Sequence, residues 1–187
     1  MKGLLFSTED GLDVPAVTAA EMREVDRLAT EELGLEILQM MENAGRNLCE
    51  LVLQVLGPSA GRIVICAGAG GNGGGGLSCA RHLHNRGARV SLLLDREIDG
   101  LHGPASAQAR ILRGAGIGPD PPQHAPRLIA DAALVVDALI GYSLQGPPRG
   151  RTGELIELCN TVAANVVSLD VPSGLDATTG EADRKSV

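Results

Sequence analysis

Seven of the ten residues from Gly68 to Leu77 are glycine, and Asn72 is the single polar side chain among them. The chemistry open to such a segment is that of main-chain amides. Glycine loses more conformational freedom on folding than any other residue, so a cluster is kept where the backbone must take φ > 0 or where a Cβ would block a ligand. The apolar run Arg62-Ile63-Val64-Ile65-Cys66-Ala67 precedes the cluster and reads as a short buried strand. Leu77-Ser78-Cys79-Ala80-Arg81-His82-Leu83 follows it and reads as the opening of a helix. Strand, glycine loop and helix N-terminus bring free N–H groups and the positive end of a helix dipole to one point, which makes an anion site.

Two other polar loops follow apolar runs. One is Asp137-Ala138-Leu139-Ile140-Gly141-Tyr142-Ser143-Leu144-Gln145-Gly146-Pro147-Pro148, and the other is Asp170-Val171-Pro172-Ser173-Gly174-Leu175-Asp176. Asp and Ser beside Gly and Pro are also ordinary turn formers, so both loops have a purely structural reading. Gly68-Ala69-Gly70-Gly71-Asn72-Gly73 satisfies G-x-G-x-x-G, with Asp95 past the next strand, where a dinucleotide-binding protein keeps its ribose carboxylate. So dense a glycine run satisfies several glycine patterns by chance, which weakens that match. No Gly-Lys-Ser/Thr follows the glycines, so a P-loop ATPase is not expected. His82 and His84 have no partner at metal-ligand spacing and are expected to pack or face solvent.

These loops need elements to hold them. Thr18-Ala19-Ala20-Glu21 is a capping box, and Met22, Val25, Leu28 and Ala29 follow at helical spacing until Gly34. A second helix carries Leu38, Met41, Leu48, Val52 and Val55 on one face, with Gly45 allowing a close approach, and stops at Gly57-Pro58. Glu42, Asn43 and Arg46 on it are expected to meet substrate or to hold helices together. From residue 62 the pattern changes to apolar runs at 62–67, 89–94, 133–136 and 166–169, alternating with helical stretches at 77–85, 104–112, 127–132 and 153–163. That alternation predicts βαβ units around a parallel sheet. Ligands of such sheets sit beyond the carboxyl ends of the strands, where the three loops converge.

The 187 residues suit one domain, led by an extended segment over residues 1–16. Apolar residues make up 44% and aromatic residues 1%, so the core must be aliphatic. A net charge of −7 without a basic cluster argues against a nucleic-acid surface. Cys49, Cys66, Cys79 and Cys159 show no CxxC or Cys/His metal spacing and read as buried reduced thiols of a cytoplasmic protein. No apolar stretch is long enough to cross a bilayer, and Met1 to Phe6 runs into charge too soon for a signal peptide.

Five segments occur in an order that resembles the YjeF N-terminal domain family, the NAD(P)H-hydrate epimerases. They are Met41-Glu42-Asn43-Ala44-Gly45-Arg46, Gly70-Gly71-Asn72-Gly73-Gly74-Gly75-Gly76-Leu77, Cys79-Ala80-Arg81-His82-Leu83, Asp137-Ala138-Leu139-Ile140-Gly141, and Leu169-Asp170-Val171-Pro172-Ser173-Gly174-Leu175-Asp176. The resemblance runs from about residue 17 to the end. It implies a Rossmann-like three-layer α/β sandwich with a mostly parallel central sheet and two N-terminal helices. It further implies an isomerase that interconverts the R and S forms of hydrated NADH and NADPH, a metabolite-repair reaction. A potassium ion would be held by Asn72, Asp137 and Ser173. Substrate would meet Gly71, Asn72, Gly73, Gly74 and Gly75, the loop Gly141, Tyr142, Ser143, Leu144, Gln145, Gly146 and Pro147, and Asp170.

Epimerisation needs the hydroxyl to leave and return on the other face, which asks for a carboxyl group that gives and takes a proton; Asp170 is the candidate catalytic residue. Its structural alternative is a cap on the Pro172-Ser173-Gly174 turn. Asn72 has the alternative of a left-handed loop residue. The implied partners are a second copy of the chain in a homodimer and a dehydratase domain or protein, with no nucleic acid and no membrane.

The family loop usually reads G-N-N-G-G-D-G-L; here its first Asn is Gly71 and its Asp is Gly75, and His84 stands where a basic residue is common. The sequence ends at Lys185-Ser186-Val187, before the further strand expected at that point, so the domain over residues 17–187 either lacks its last strands or continues in a longer protein. Two other functions stay open. One is a non-catalytic nucleotide-binding or dimerisation scaffold of the same fold, as in mRNA-decapping scaffolds, toward which Gly75 points. The other is an NAD-dependent dehydrogenase.

Overall fold

The computed structural model of the protein describes residues 5–58, 61–182 and 186. The expectations that rest on Met1 to Leu4, Lys185 and Val187 lie outside these residues. Where an extended lead is expected over residues 1–16, β1 (Leu5–Ser7) and β2 (Asp13–Pro15) pair antiparallel. The turn between them is closed by Gly11 at φ 79° and by the Gly11 and Leu12 amides donating to the Thr8 carbonyl and hydroxyl. Asp10-Gly11 is an ordinary hairpin signal, and strands of three residues are too short to show alternation.

The central sheet comprises β3 (Arg62–Ala67), β4 (Arg89–Leu94), β5 (Leu134–Ala138) and β6 (Val166–Ser168), in the order β4-β3-β5-β6 and all parallel. Alternate strand residues feed two separate cores, as a pleated sheet requires. Ile63, Ile65, Leu92, Leu94, Leu134 and Val136 pack with α2 (Ile37–Leu56), α3 (Gly71–Asn85) and α4 (Gly103–Gly114). Val64, Cys66, Leu93 and Val135 pack against α5 (Ala125–Ala130) and α6 (Gly150–Val162) on the other face. The three-layer α/β sandwich read from the sequence is thus the fold. All four cysteines are buried and free; contact with Cys159 together with burial pushes the Cys66 thiol up, and burial does the same for Cys49 and Cys79.

The first helix, α1 (Ala19–Arg27), begins at Thr18 in the expected capping box. It continues into one wide turn over residues 28–32 and is broken at Gly34, φ 71°. No residue of α1 is buried. On α2 the buried stripe is Met41, Gly45, Leu48, Cys49 and Val52, while Leu38 and Val55, expected on the same face, are exposed at its two ends. The reason is the short contact with α3: a Cβ on Gly45 would lie 2.5 Å from Ser78 Cβ, so the helices touch at the middle of α2.

The largest departure concerns the glycine segment. It is not a loop ahead of a helix at residue 77; α3 starts at Gly71, and no glycine from 68 to 76 has positive φ. Glycine inside a helix costs about 1 kcal/mol relative to alanine, so packing must favour it here. A Cβ at Gly76 would lie 2.5 Å from Ala138 Cβ and one at Gly75 2.7 Å from Leu169 Cδ2. One at Gly74 would strike the Met41 thioether, and one at Gly73 the Gly68 backbone. The missing side chains let α3 sink between the sheet and α2.

A polar network closes the α2–α3 contact. Glu42 accepts from Ser78 Oγ (3.0 Å), Arg81 Nη2 and His82 Nε2 (2.8 Å). Glu42 and His82 therefore join helices, and Asn43 pairs with Arg46 (3.3 Å) on the outer surface. Burial alone would raise the Glu42 carboxyl, but Arg81, Ser78 and His82 outweigh it and pull the group from 4.5 to about 2. A depressed carboxyl stabilises the fold above its unfolded value and loses that contribution as pH falls through the folded one. Acid unfolding of the protein will show a fall in stability between pH 4.5 and about 2 that Glu42→Gln lacks. The fall will be modest, because the Glu42 side chain is 44% exposed and solvent screens it.

Candidate active site

A cleft of about 900 Å³ opens at the carboxyl ends of β3, β5 and β6. Its floor is the start of α3, with Gly71, Asn72 and Gly75, and its sides are Gly141, Tyr142 and Ser143 after β5 and Leu169, Asp170 and Val171 after β6. Its roof is α1, contributing Met22, Arg23 and Asp26, with Thr30 from the wide turn that follows it. The volume lies in the range of nucleotide and cofactor sites.

Asp170 is the one non-glycine residue at positive φ (69°) among the described residues. Such a conformation costs about 1 to 3 kcal/mol and persists where surrounding contacts over-determine it. Its Oδ2 accepts the Tyr142 amide at 2.7 Å, across to the other loop, so the carboxylate does not cap its own Pro172-Ser173-Gly174 turn. Gly141 makes this possible: a Cβ there would collide with Asp170 Oδ2 and lie 3.3 Å from Asn72 Cγ. Asn72, Gly141 and Asp170 thus meet in the cleft. Asn72 sits in the first turn of α3 rather than in a left-handed loop, and its Nδ2 is buried without a partner among the described residues.

Asp137 and Ser173 lie one layer deeper, fully buried. Asp137 accepts from Ser173 Oγ (2.6 Å), Ser173 N (2.8 Å), Ser168 Oγ (3.0 Å) and Leu139 N (3.2 Å). Ser173 Oγ in turn accepts the Ile140 amide at 2.9 Å. The Ile140–Gly141 segment therefore joins this buried pair to the cleft. No basic side chain pairs with Asp137 among the described residues; its four partners are hydroxyl and main-chain amide donors. Asn72, Asp137 and Ser173 offer the oxygen donors that a hard cation takes, the Asn72 amide by a flip that exchanges its O and N. No group of three or more His, Cys, Asp or Glu able to hold a metal occurs among the described residues.

The remaining expected site residues divide. Gly73 and Gly74 are buried in helix packing. Leu144, Gln145, Gly146 and Pro147 line a second cleft of about 400 Å³ together with Arg149 and Thr152. Asp95, the ribose carboxylate of the dehydrogenase reading, is tied to Arg96 (3.1 Å) and Thr152 (3.1 Å) and does not line the main cleft.

Sequence reasoning missed the roof. Tyr142 Oη donates to Asp26 Oδ2, and burial followed by this bond pushes the phenol up to about 12. Arg27 is held by Glu24, Glu31 and Glu32, whereas Arg23 has no carboxylate partner among the described residues. The signal was present, since Met22, Arg23, Asp26 and Thr30 share one helical face.

A parallel α/β sandwich with this cleft belongs to the class that binds ligands beyond the carboxyl ends of its strands. Residues 37–187 match the family described as YjeF-related protein N-terminus, and the chain belongs to that family. It is 48% identical over 183 residues to the NAD(P)H-hydrate epimerase of Dehalogenimonas lykanthroporepellens, covering 95% of this chain and 72% of the relative. It is 38% identical to the NAD(P)H-hydrate epimerase of Rhodopirellula baltica, covering 91% and 70%. It is also 38% identical to the bifunctional NAD(P)H-hydrate repair enzyme Nnr of Moorella thermoacetica, over 88% of this chain and 32% of that longer protein. The crystal structure of yeast ynu0 shares the fold, with a TM-score of 0.80 at 24% identity, covering 93% of this chain and 77% of that one.

Proposed function

We propose that this protein is an epimerase that interconverts the R and S forms of hydrated NADH and NADPH. The observation that carries the reading is Asp170, a carboxyl held at positive φ in a nucleotide-sized cleft, in a chain 48% identical to a protein named for that activity. In the acid form Asp170 delivers a proton to the ring hydroxyl as the C–O bond breaks, with the bonding electrons going to oxygen, and water departs. The lone pair of the ring nitrogen stabilises the resulting cation. Water adds to the opposite face and Asp170 takes the proton back. The Tyr142 amide keeps one carboxyl oxygen oriented, leaving the other for the substrate.

The α3 N-terminus, with Gly71 and Asn72 in the cleft, suits the nucleotide phosphates. Potassium fits the donor set of Asn72, Asp137 and Ser173, and its charge would offset that of the phosphates. Several exposed apolar side chains on the N-terminal segment, Leu33, Leu35 and Ile37 among them, suit a homodimer. The free thiols suit a reducing cytoplasm, and no described helix is long and apolar enough to cross a membrane. The resemblance of the chain to part of longer, bifunctional repair enzymes suits cooperation with a dehydratase domain or protein.

A resolved epimer incubated with the protein will equilibrate faster than it does alone, and faster in potassium than in lithium buffer. Equilibration at the spontaneous rate in both would end the proposal. Gly75, bare where the family pattern has a carboxylate, favours the second reading of a non-catalytic nucleotide-binding scaffold. Calorimetric binding of an adenine dinucleotide without turnover would mark that outcome.

A further inference from the structure

The roof of the cleft is anchored lightly. No residue of α1 is buried, and among the described residues two long-range hydrogen bonds hold it to the rest of the domain: Ala19 N to Thr178 Oγ1 at 3.1 Å, and Tyr142 Oη to Asp26 Oδ2. The second bond leads directly to the chemistry. The residue whose hydroxyl reaches Asp26 is the residue whose amide reaches Asp170 Oδ2 at 2.7 Å. Tyr142 therefore spans from the roof helix to the reacting carboxyl within a single residue.

Each end of that span needs the other. Gly141, which lets the loop approach Asp170, has no side chain to fix the loop sideways. Asp170 sits in a backbone conformation that is stable only with support from its neighbours. The phenol ring is the one side chain of the Gly141–Ser143 turn with a hydrogen-bond partner outside its own loop among the described residues. A phenol is protonated at neutral pH, so the hydroxyl donates to Asp26, and burial of the ring with this bond pushes its ionisation further up.

We propose that Asp26 is a positioning residue for epimerisation: through the Tyr142 hydroxyl it fixes the loop whose amide aligns the Asp170 carboxyl. The inference rests on the epimerase reading and extends it to a residue on a different element, far from the reacting carboxyl in sequence. Alignment errors of a fraction of an ångström at a reacting group are read as rate, whereas loss of a wall contact is read as affinity.

The test uses the full chain and four variants, Asp26→Ala, Tyr142→Phe, the double variant and Asp26→Asn. The steady-state epimerisation constants are measured together with the melting temperature. Asp26→Ala and Tyr142→Phe are each expected to lower kcat about tenfold with KM changed less than about twofold. The double variant should lose no more than either single one, because both remove the same link. Asp26→Asn keeps an acceptor oxygen and should recover most of the rate. Unchanged kcat in Asp26→Ala, a loss confined to KM, or multiplicative losses in the double variant would overturn the inference while leaving the epimerase reading in place. A wild-type chain that does not epimerise would instead overturn the reading on which it rests.

Discussion

Asp170→Asn will lower kcat for epimer interconversion by about 10²- to 10⁴-fold, the range that a positioned proton donor and acceptor contributes. The substitution isolates chemistry from fold. Asn is among the few residues that tolerate the positive φ observed at this position, so the backbone strain does not grow. Its amide oxygen can still accept the Tyr142 N–H, now held at 2.7 Å, so the loop contact survives. What disappears is the capacity to give and take a proton. Rates from chromatographically resolved epimers, set beside the melting temperature, separate these effects. A variant with full rate would remove Asp170 from the mechanism, and one that fails to fold would return it to a structural role.

Gly73→Ala will destabilise the protein by about 3 kcal/mol or more, near the upper end for overpacking. The new methyl group would run into the Gly68 backbone, which cannot rotate away as a side chain can. Gly75→Ala provides the contrast within the same helix. Its methyl meets the tip of the flexible Leu169 side chain at 2.7 Å, so a small rotation of Leu169 relieves it, and the gain in helix propensity offsets part of the cost. Urea denaturation of both variants measures the difference directly. Similar stabilities would show that the depth of α3 is not set by its glycines.

That pair of positions also explains what the sequence could and could not convey. The strands at 62–67 and 89–94 were legible to the residue, because β-branched and leucine runs bounded by charge or glycine have few other uses. The capping box at Thr18 was legible for the same local reason. The first six residues of α3 were not, since glycine opposes a helix by intrinsic preference and only distant partners such as Met41, Ala138 and Leu169 reverse that preference. Asp137 and Ser173 could be named but not layered; their burial beneath Ile140 depends on strand pairing and on the turn after β6. Asp26 stayed hidden because its partner, Tyr142, lies 116 residues away; the face it shares with Met22, Arg23 and Thr30 groups these residues but does not say what that face meets.

Tyr142 is the only tyrosine in a chain that has no tryptophan. The near-ultraviolet absorbance and intrinsic emission of the whole molecule therefore come almost entirely from a ring that faces the cleft and touches α1. Carboxylates beside a phenol alter its emission, so opening of the roof or arrival of a nucleotide will be visible as an optical change with no attached dye. Nature has left this fold with one indicator, and it stands at the mouth of the site.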